Sequence, residues 1–165
     1  MRTVSCGSRF LFYRILHELY ESSRIAESAE YIQHGATSVL AHSIAVAYFS
    51  LCIAAFFRLK VDQQQLIRGA LLHDYFLYDW HEKDKGHRFH GFRHPRTAWR
   101  NADRDVGLRE IEKDIVLKHM FPLTPKPPRY KESAVVCLAD KICSIYEIFY
   151  MDSVFKLYGA IPVPL

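Results

Sequence analysis

Apolar residues recur at helical spacing along almost the whole chain. Phe10, Leu11, Tyr13, Leu16, Leu19 and Tyr20 sit mostly three or four apart, which predicts a helix over about 8–31. "QHG" within 32–36 breaks the pattern. An apolar helix follows over about 37–58. Asp62 is placed to cap the next one, about 63–75, with Leu66, Ala70 and His73 on one side. A loop rich in His, Lys, Asp and Gly covers about 77–93. Pro95 suits the first turn of a short helix to about 102. Ile111, Ile115 and His119 fall at i, i+4 and i+8 in a helix over about 106–120. "FPLTPKPPRY" is a rigid connector, 132–150 is the last helix, and "GAIPVPL" is an extended tail. No strand alternation and no internal repeat is present. The expectation is an all-α bundle of about six helices forming one domain over 1–165, with its core at about 32–150.

The run Val39–Phe57 carries no formal charge and is long enough to span a bilayer. His42, Ser43 and Ser50 interrupt it, and its small residues suit close packing. A buried central helix is therefore expected rather than a membrane span. Ten Tyr and eleven Phe imply a bulky interior. The four cysteines form no CxxC pair and no secretory leader precedes them, so reduced thiols and a cytoplasmic protein are expected.

The net charge of +4 is modest. Its placement is uneven. Between His81 and Arg104, Lys83, Lys85, Arg88, Arg93, Arg96, Arg100 and Arg104 face only Glu82, Asp84 and Asp103, while the rest of the chain balances. That local excess suits an anionic small molecule better than a stable nucleic-acid complex, which calls for a more basic protein.

Several ionisable residues lie where burial is costly. His42 shares a helix face with Ala45, Val46, Phe49, Ile53 and Phe56. Asp140 lies in the hydrophobic "VVCLADKICSIYEIF". An unpaired buried carboxylate costs several kcal/mol and needs a cation or strong donors. Lys141 does not qualify as its partner, because adjacent helical residues point about 100° apart. His73 and Asp74 follow the apolar "GALL". Such a pair can bind one metal ion while the carboxylate reaches a second. For each histidine the alternative is a hydrogen-bonded core or surface residue.

The order His42 in "AHSIAVA", His73-Asp74 in "ALLHDYF" and Asp140 in "LADKI" resembles the HD-domain superfamily of metal-dependent phosphohydrolases. The resemblance covers about 32–150 and implies an all-α bundle in which these four residues hold a metal ion. Members with a binuclear centre add two histidines, for which His94 in "FRHPRTA" and His119 in "LKHMFPL" are the candidates. His87 or His90 could stand in for His94. The resemblance thus implies six ligands, with Asp74 as the bridge that orients an activated water. Four imidazoles with two carboxylates suit iron or manganese, with zinc, cobalt or nickel as alternatives, over calcium or a lone magnesium. Arg93, Arg96 and Lys118 flank the ligands and are expected to bind an anionic phosphorylated metabolite or nucleotide, with His34 touching substrate or ligands. The loop 77–93 is expected to form the rim. Two alternatives stand: a di-iron oxygenase of the same superfamily, similar to myo-inositol oxygenase, and a non-catalytic nucleotide-binding module.

Overall fold

The computed structural model describes residues 4–35, 37–80 and 90–149, without the side chains of His34 and His90. Among these residues run six helices: α1 (Cys6–Ser22), α2 (Val39–Phe56), α3 (Gln63–Leu72), α4 (His90–Val106), α5 (Glu110–Lys118) and α6 (Lys131–Phe149). The protein is the all-α bundle its periodicity predicts. Asp62 caps α3 as expected, its Oδ1 accepting the Gln65 N–H at 3.1 Å.

Several boundaries differ from expectation; α3 ends at Leu72 rather than near 75, α5 begins at Glu110 rather than near 106, and three others have a visible cause. The first helix stops at Ser22 rather than near residue 31. The hydroxyls of Ser22 and Ser23 donate to the Glu18 and Leu19 carbonyls, both at 2.6 Å, and this local bonding competes with further helix. A 3₁₀ turn, Ile25–Ala29, follows. The "QHG" break is a small antiparallel hairpin of β1 (Ile32–His34) and β2 (Thr37–Ser38), turned through Gly35 at φ 56°. The fourth helix begins at His90, so Pro95 lies in its second turn instead of its first. It continues to Val106 because Ala98 and Ala102, one turn apart, are both fully buried.

α2 lies against α3 and α6, and α3 also packs on α1 and α5. By length and composition α2 could cross a membrane, yet 61% of it is buried inside the protein. Its buried face packs into the same core as Leu66, Ile67 and Leu71 of α3 and Val135, Val136 and Ala139 of α6.

The α3–α5 contact is tight at Gly69 and matters most for the site. A Cβ on Gly69 would stand 2.6 Å from Ile115 Cδ1 and 3.3 Å from Glu112 Cα. Glycine there lets the two helix ends meet one turn further on. Glu112, fully buried in this contact, is paired with Arg68.

The chain after α3 is pinned from three directions. The Tyr75 hydroxyl accepts the Arg24 N–H at 2.7 Å and donates to Asp105 at 2.9 Å. Asn101 of α4 donates to the Tyr75 and Phe76 carbonyls at 3.2 and 3.0 Å. The expected rim loop and the tail lie largely outside the described residues.

Candidate metal centre

Two of the histidines owe their aim to helix termini. His73 and His119 are the C-terminal cap residues of α3 and α5. A helix end leaves its last carbonyls without backbone partners. His73 Nδ1 donates to the Ala70 carbonyl at 2.7 Å, and His119 Nδ1 donates to the Val116 carbonyl at 2.9 Å. Each bond fixes the ring and leaves Nε2 as the atom offered to the interior. His42, in the second turn of α2, is fixed from behind by a different group. Its Nδ1 donates to Glu147 Oε2 at 2.8 Å, again turning Nε2 toward the interior, where it meets Asp140.

The four Nε2 atoms and two carboxylates converge. Asp74 divides them by its two oxygens. Oδ2 faces His73 Nε2 at 3.3 Å and His42 Nε2 at 3.9 Å. Asp140 Oδ1 completes this half, 3.2 Å from His42 Nε2 and 3.7 Å from His73 Nε2. Oδ1 faces the other half, with His94 Nε2 at 3.1 Å and His119 Nε2 at 3.4 Å. All six residues are between 0% and 6% exposed.

The chemistry of this cluster fits metal ions. Buried polar atoms normally have partners. His73 Nε2 and Asp74 Oδ1 are buried without a hydrogen bond. His94 Nε2 and His119 Nε2 lie 2.8 Å apart, which calls for a proton or a cation at that pair. The donor atoms of His42, His73 and Asp140 fall within 4.8 Å of one another, as do those of His73, Asp74 and His119. The two groupings share His73.

Electrostatics point the same way. Burial disfavours charge on His42, but hydrogen bonds to Asp140 and Glu147 outweigh it and raise its pKa to about 9. His73 is raised well above its usual value; burial opposes this, and the Asp74 and Asp140 carboxylates prevail. Asp74 is held well below the usual carboxylate range, against burial, by His73 and His94. His119 is lowered by burial, reinforced by the neighbouring His73 and His94. Without metal, protons take the place of cations between these carboxylates and rings.

An HD-domain model matches residues 39–145, the span from the start of α2 to late α6. The chain belongs to the HD-domain family. Neither a curated protein nor a solved structure matches it. HD domains belong to a superfamily of metal-dependent phosphohydrolase type and bind divalent metals. The residues that carry the HD pattern here are the buried His42, His73, Asp74 and Asp140, and His94 and His119 lie beside them.

A cavity of about 960 Å³ opens onto the HD cluster. Asp74, His94, His119 and Asp140 reach its floor, and Trp80, Met120, Pro122 and Leu123 give it an apolar wall. The expected substrate-binding residues Arg93, Arg96 and Lys118 do not line it. They line a different cavity. The reason is helical geometry. His94 and His119 point inward, so Arg93 and Lys118, one residue before each, are turned away by about 100°, and Arg96 by about twice that.

The lining of the HD cavity includes a cation that sequence reasoning set aside only as a partner for Asp140. Lys141 Nζ donates to the His119 carbonyl at 2.9 Å and to the Cys137 carbonyl at 3.3 Å. Gln33 of β1 was also missed; its Nε2 donates to Asp74 Oδ2 at 2.6 Å. The side chain of the neighbouring His34 and the positions of His87 and His90 side chains lie outside the described residues. Glu147 had a signal: it follows Asp140 by two helical turns in an apolar segment and is 1% exposed. Nothing local in the sequence marks Gln33.

Proposed function

We propose that this HD domain is a metal-dependent phosphohydrolase whose Asp74 bridges two divalent transition-metal ions. The observation that carries the reading is the division of labour within Asp74: Oδ2 faces His42 and His73, and Oδ1 faces His94 and His119. A carboxylate so shared, with Asp140 on one side, matches a binuclear centre better than a single ion. The nitrogen and oxygen donors, with no thiolate among the six, favour iron or manganese, with zinc, cobalt or nickel as further options.

A bound pair of such ions supplies hydroxide near neutral pH and offsets phosphate charge. The protein's own groups do the rest. Glu147 keeps His42 aimed, as the Ala70 and Val116 carbonyls keep His73 and His119 aimed. Gln33 holds the Asp74 carboxylate in its plane. The Lys141 ammonium, fixed against two carbonyls, adds a stationary positive charge beside the cavity. Trp80, Met120 and Leu123 exclude water and offer an apolar surface to the leaving group. Among the described residues Lys141 is the only Lys or Arg lining this cavity. The substrate that fits is therefore an anionic small molecule with one phosphate on a largely apolar or aromatic body, such as a nucleoside monophosphate.

The test is a panel of phosphate esters assayed with protein reconstituted with Fe(II) or Mn(II), followed by oxygen consumption on the same samples. Phosphate release from monoesters, abolished by Asp74→Ala, is the expected result. Oxygen uptake without phosphate release would replace this reading with oxygenase chemistry. A folded protein that retains no metal would replace it with a non-catalytic binding module.

A further inference from the structure

The cations that leave the HD cavity gather in a second one. It has a volume of about 750 Å³ and lies between one face of α4, the end of α5 and the connector that follows. Arg93, Arg96 and Arg100 recur at i, i+3 and i+7 along α4. Lys118 and Lys126 face them from α5 and the connector. Among the described residues no carboxylate lines the cavity. Lys118 is neutralised by Asp114, at 2.6 Å. Arg96, Arg100 and Lys126 form no ion pair among the described residues.

Two further features suit a ligand. Thr124 lines the same cavity, and its hydroxyl is buried without a hydrogen-bond partner. Phe92, 52% exposed, offers a flat apolar surface at the wall. Ligand pockets commonly measure about 300–1,000 Å³. Like charges held together in a concavity repel, and an anion that accepts hydrogen bonds from them relieves that repulsion.

We propose that this basic cavity binds a nucleotide carrying two or more phosphates, at a site separate from the metal centre. Three unneutralised cations match a polyphosphate and exceed the charge of one phosphate group. Guanidinium forks of Arg96 and Arg100 take the phosphate oxygens. Thr124 donates its hydroxyl, and the base lies on Phe92. The concave shape and the modest charge of the chain as a whole favour a small molecule over a nucleic-acid duplex. α4 and α5 carry His94 and His119 one residue beyond Arg93 and Lys118, so the two sites share helices but not side chains.

The experiment titrates chelator-treated full-length protein with the fluorescent trinitrophenyl derivative of ATP. Saturable binding is expected, displaced by inorganic tripolyphosphate at lower concentration than by inorganic phosphate. The double variant Arg96→Gln, Arg100→Gln weakens it by about tenfold or more. Both arginines are exposed, so the fold survives, as circular dichroism will verify. Thr124→Val weakens it as well. Unchanged affinity in the arginine variant overturns the proposal, as does absence of saturable binding. Loss of binding in Asp74→Asn with the arginines intact assigns the probe to the metal centre instead. Displacement by a short DNA duplex at lower phosphate concentration than tripolyphosphate identifies a nucleic-acid surface.

Discussion

Glu147 stands behind His42, and its carboxylate accepts the ring N–H that would otherwise rotate freely among apolar neighbours. Groups behind a metal-ligating imidazole typically account for about 10–100-fold of metal affinity. Glu147→Gln keeps the size and removes the charge, so the protein should fold while metal affinity falls by about tenfold or more in a chelator competition. Unchanged affinity would remove Glu147 from the account. The same pairings set a pH dependence. His42 has its pKa raised from 6.5 to about 9, so the folded state holds that proton more tightly than the unfolded chain. The stabilisation is complete below pH 6.5 and is lost as pH rises through about 9. His73 shifts in the same direction. Metal-free protein should therefore melt at lower temperature at pH 9 than at pH 6.5. Metal-loaded protein should gain from the metal as pH rises, since ligation needs deprotonated rings. A metal-free melting temperature that rises over this range would contradict the assignment of charge.

Between elements, the decisive contact is α3 against α5. Gly69 allows it, and the contact sets the distance between His73 and His119, whose rings stand 4.9 Å apart. Gly69→Val would force the helices apart against Ile115 and the Glu112 backbone, at a cost of about 2–3 kcal/mol. Thermal denaturation should show that loss, and metal binding should weaken with it; a variant of full stability and affinity would show the contact to be slack. Element ends were also where the sequence was least legible. Ser22 and Ser23 terminate α1 through bonds to carbonyls that their hydroxyls could equally have ignored. The hairpin at 32–38 is too short for alternation to reveal. Arg93, Arg96 and Lys118 line a different cavity from the HD cluster because nearness in sequence is not direction on a helix. The same turn of about 100° per residue that excludes Lys141 as a partner for Asp140 also turns Arg93 and Lys118 from the HD cluster, and Arg96 by about twice as much.

At the scale of the molecule, five helices deliver six candidate ligands to one buried point, and no pair of helices could do so alone. For His42, His73, Asp74 and Asp140 that convergence was readable from the sequence for a physical reason, whereas His94 and His119 were reached through the family resemblance. Histidine and aspartate on apolar faces are expensive, so each such residue marks a place where something offsets the cost. Gln33 and Lys141 carried no such mark, because their positions depend on how β1 and α6 meet the cavity. The most direct measurement of the central claim is anomalous diffraction from crystals of protein reconstituted with iron or manganese. Two peaks are predicted, one within bonding distance of each Asp74 oxygen, the first also beside His42, His73 and Asp140, the second beside His94 and His119. A single peak, or metal bound away from Asp74, would contradict it.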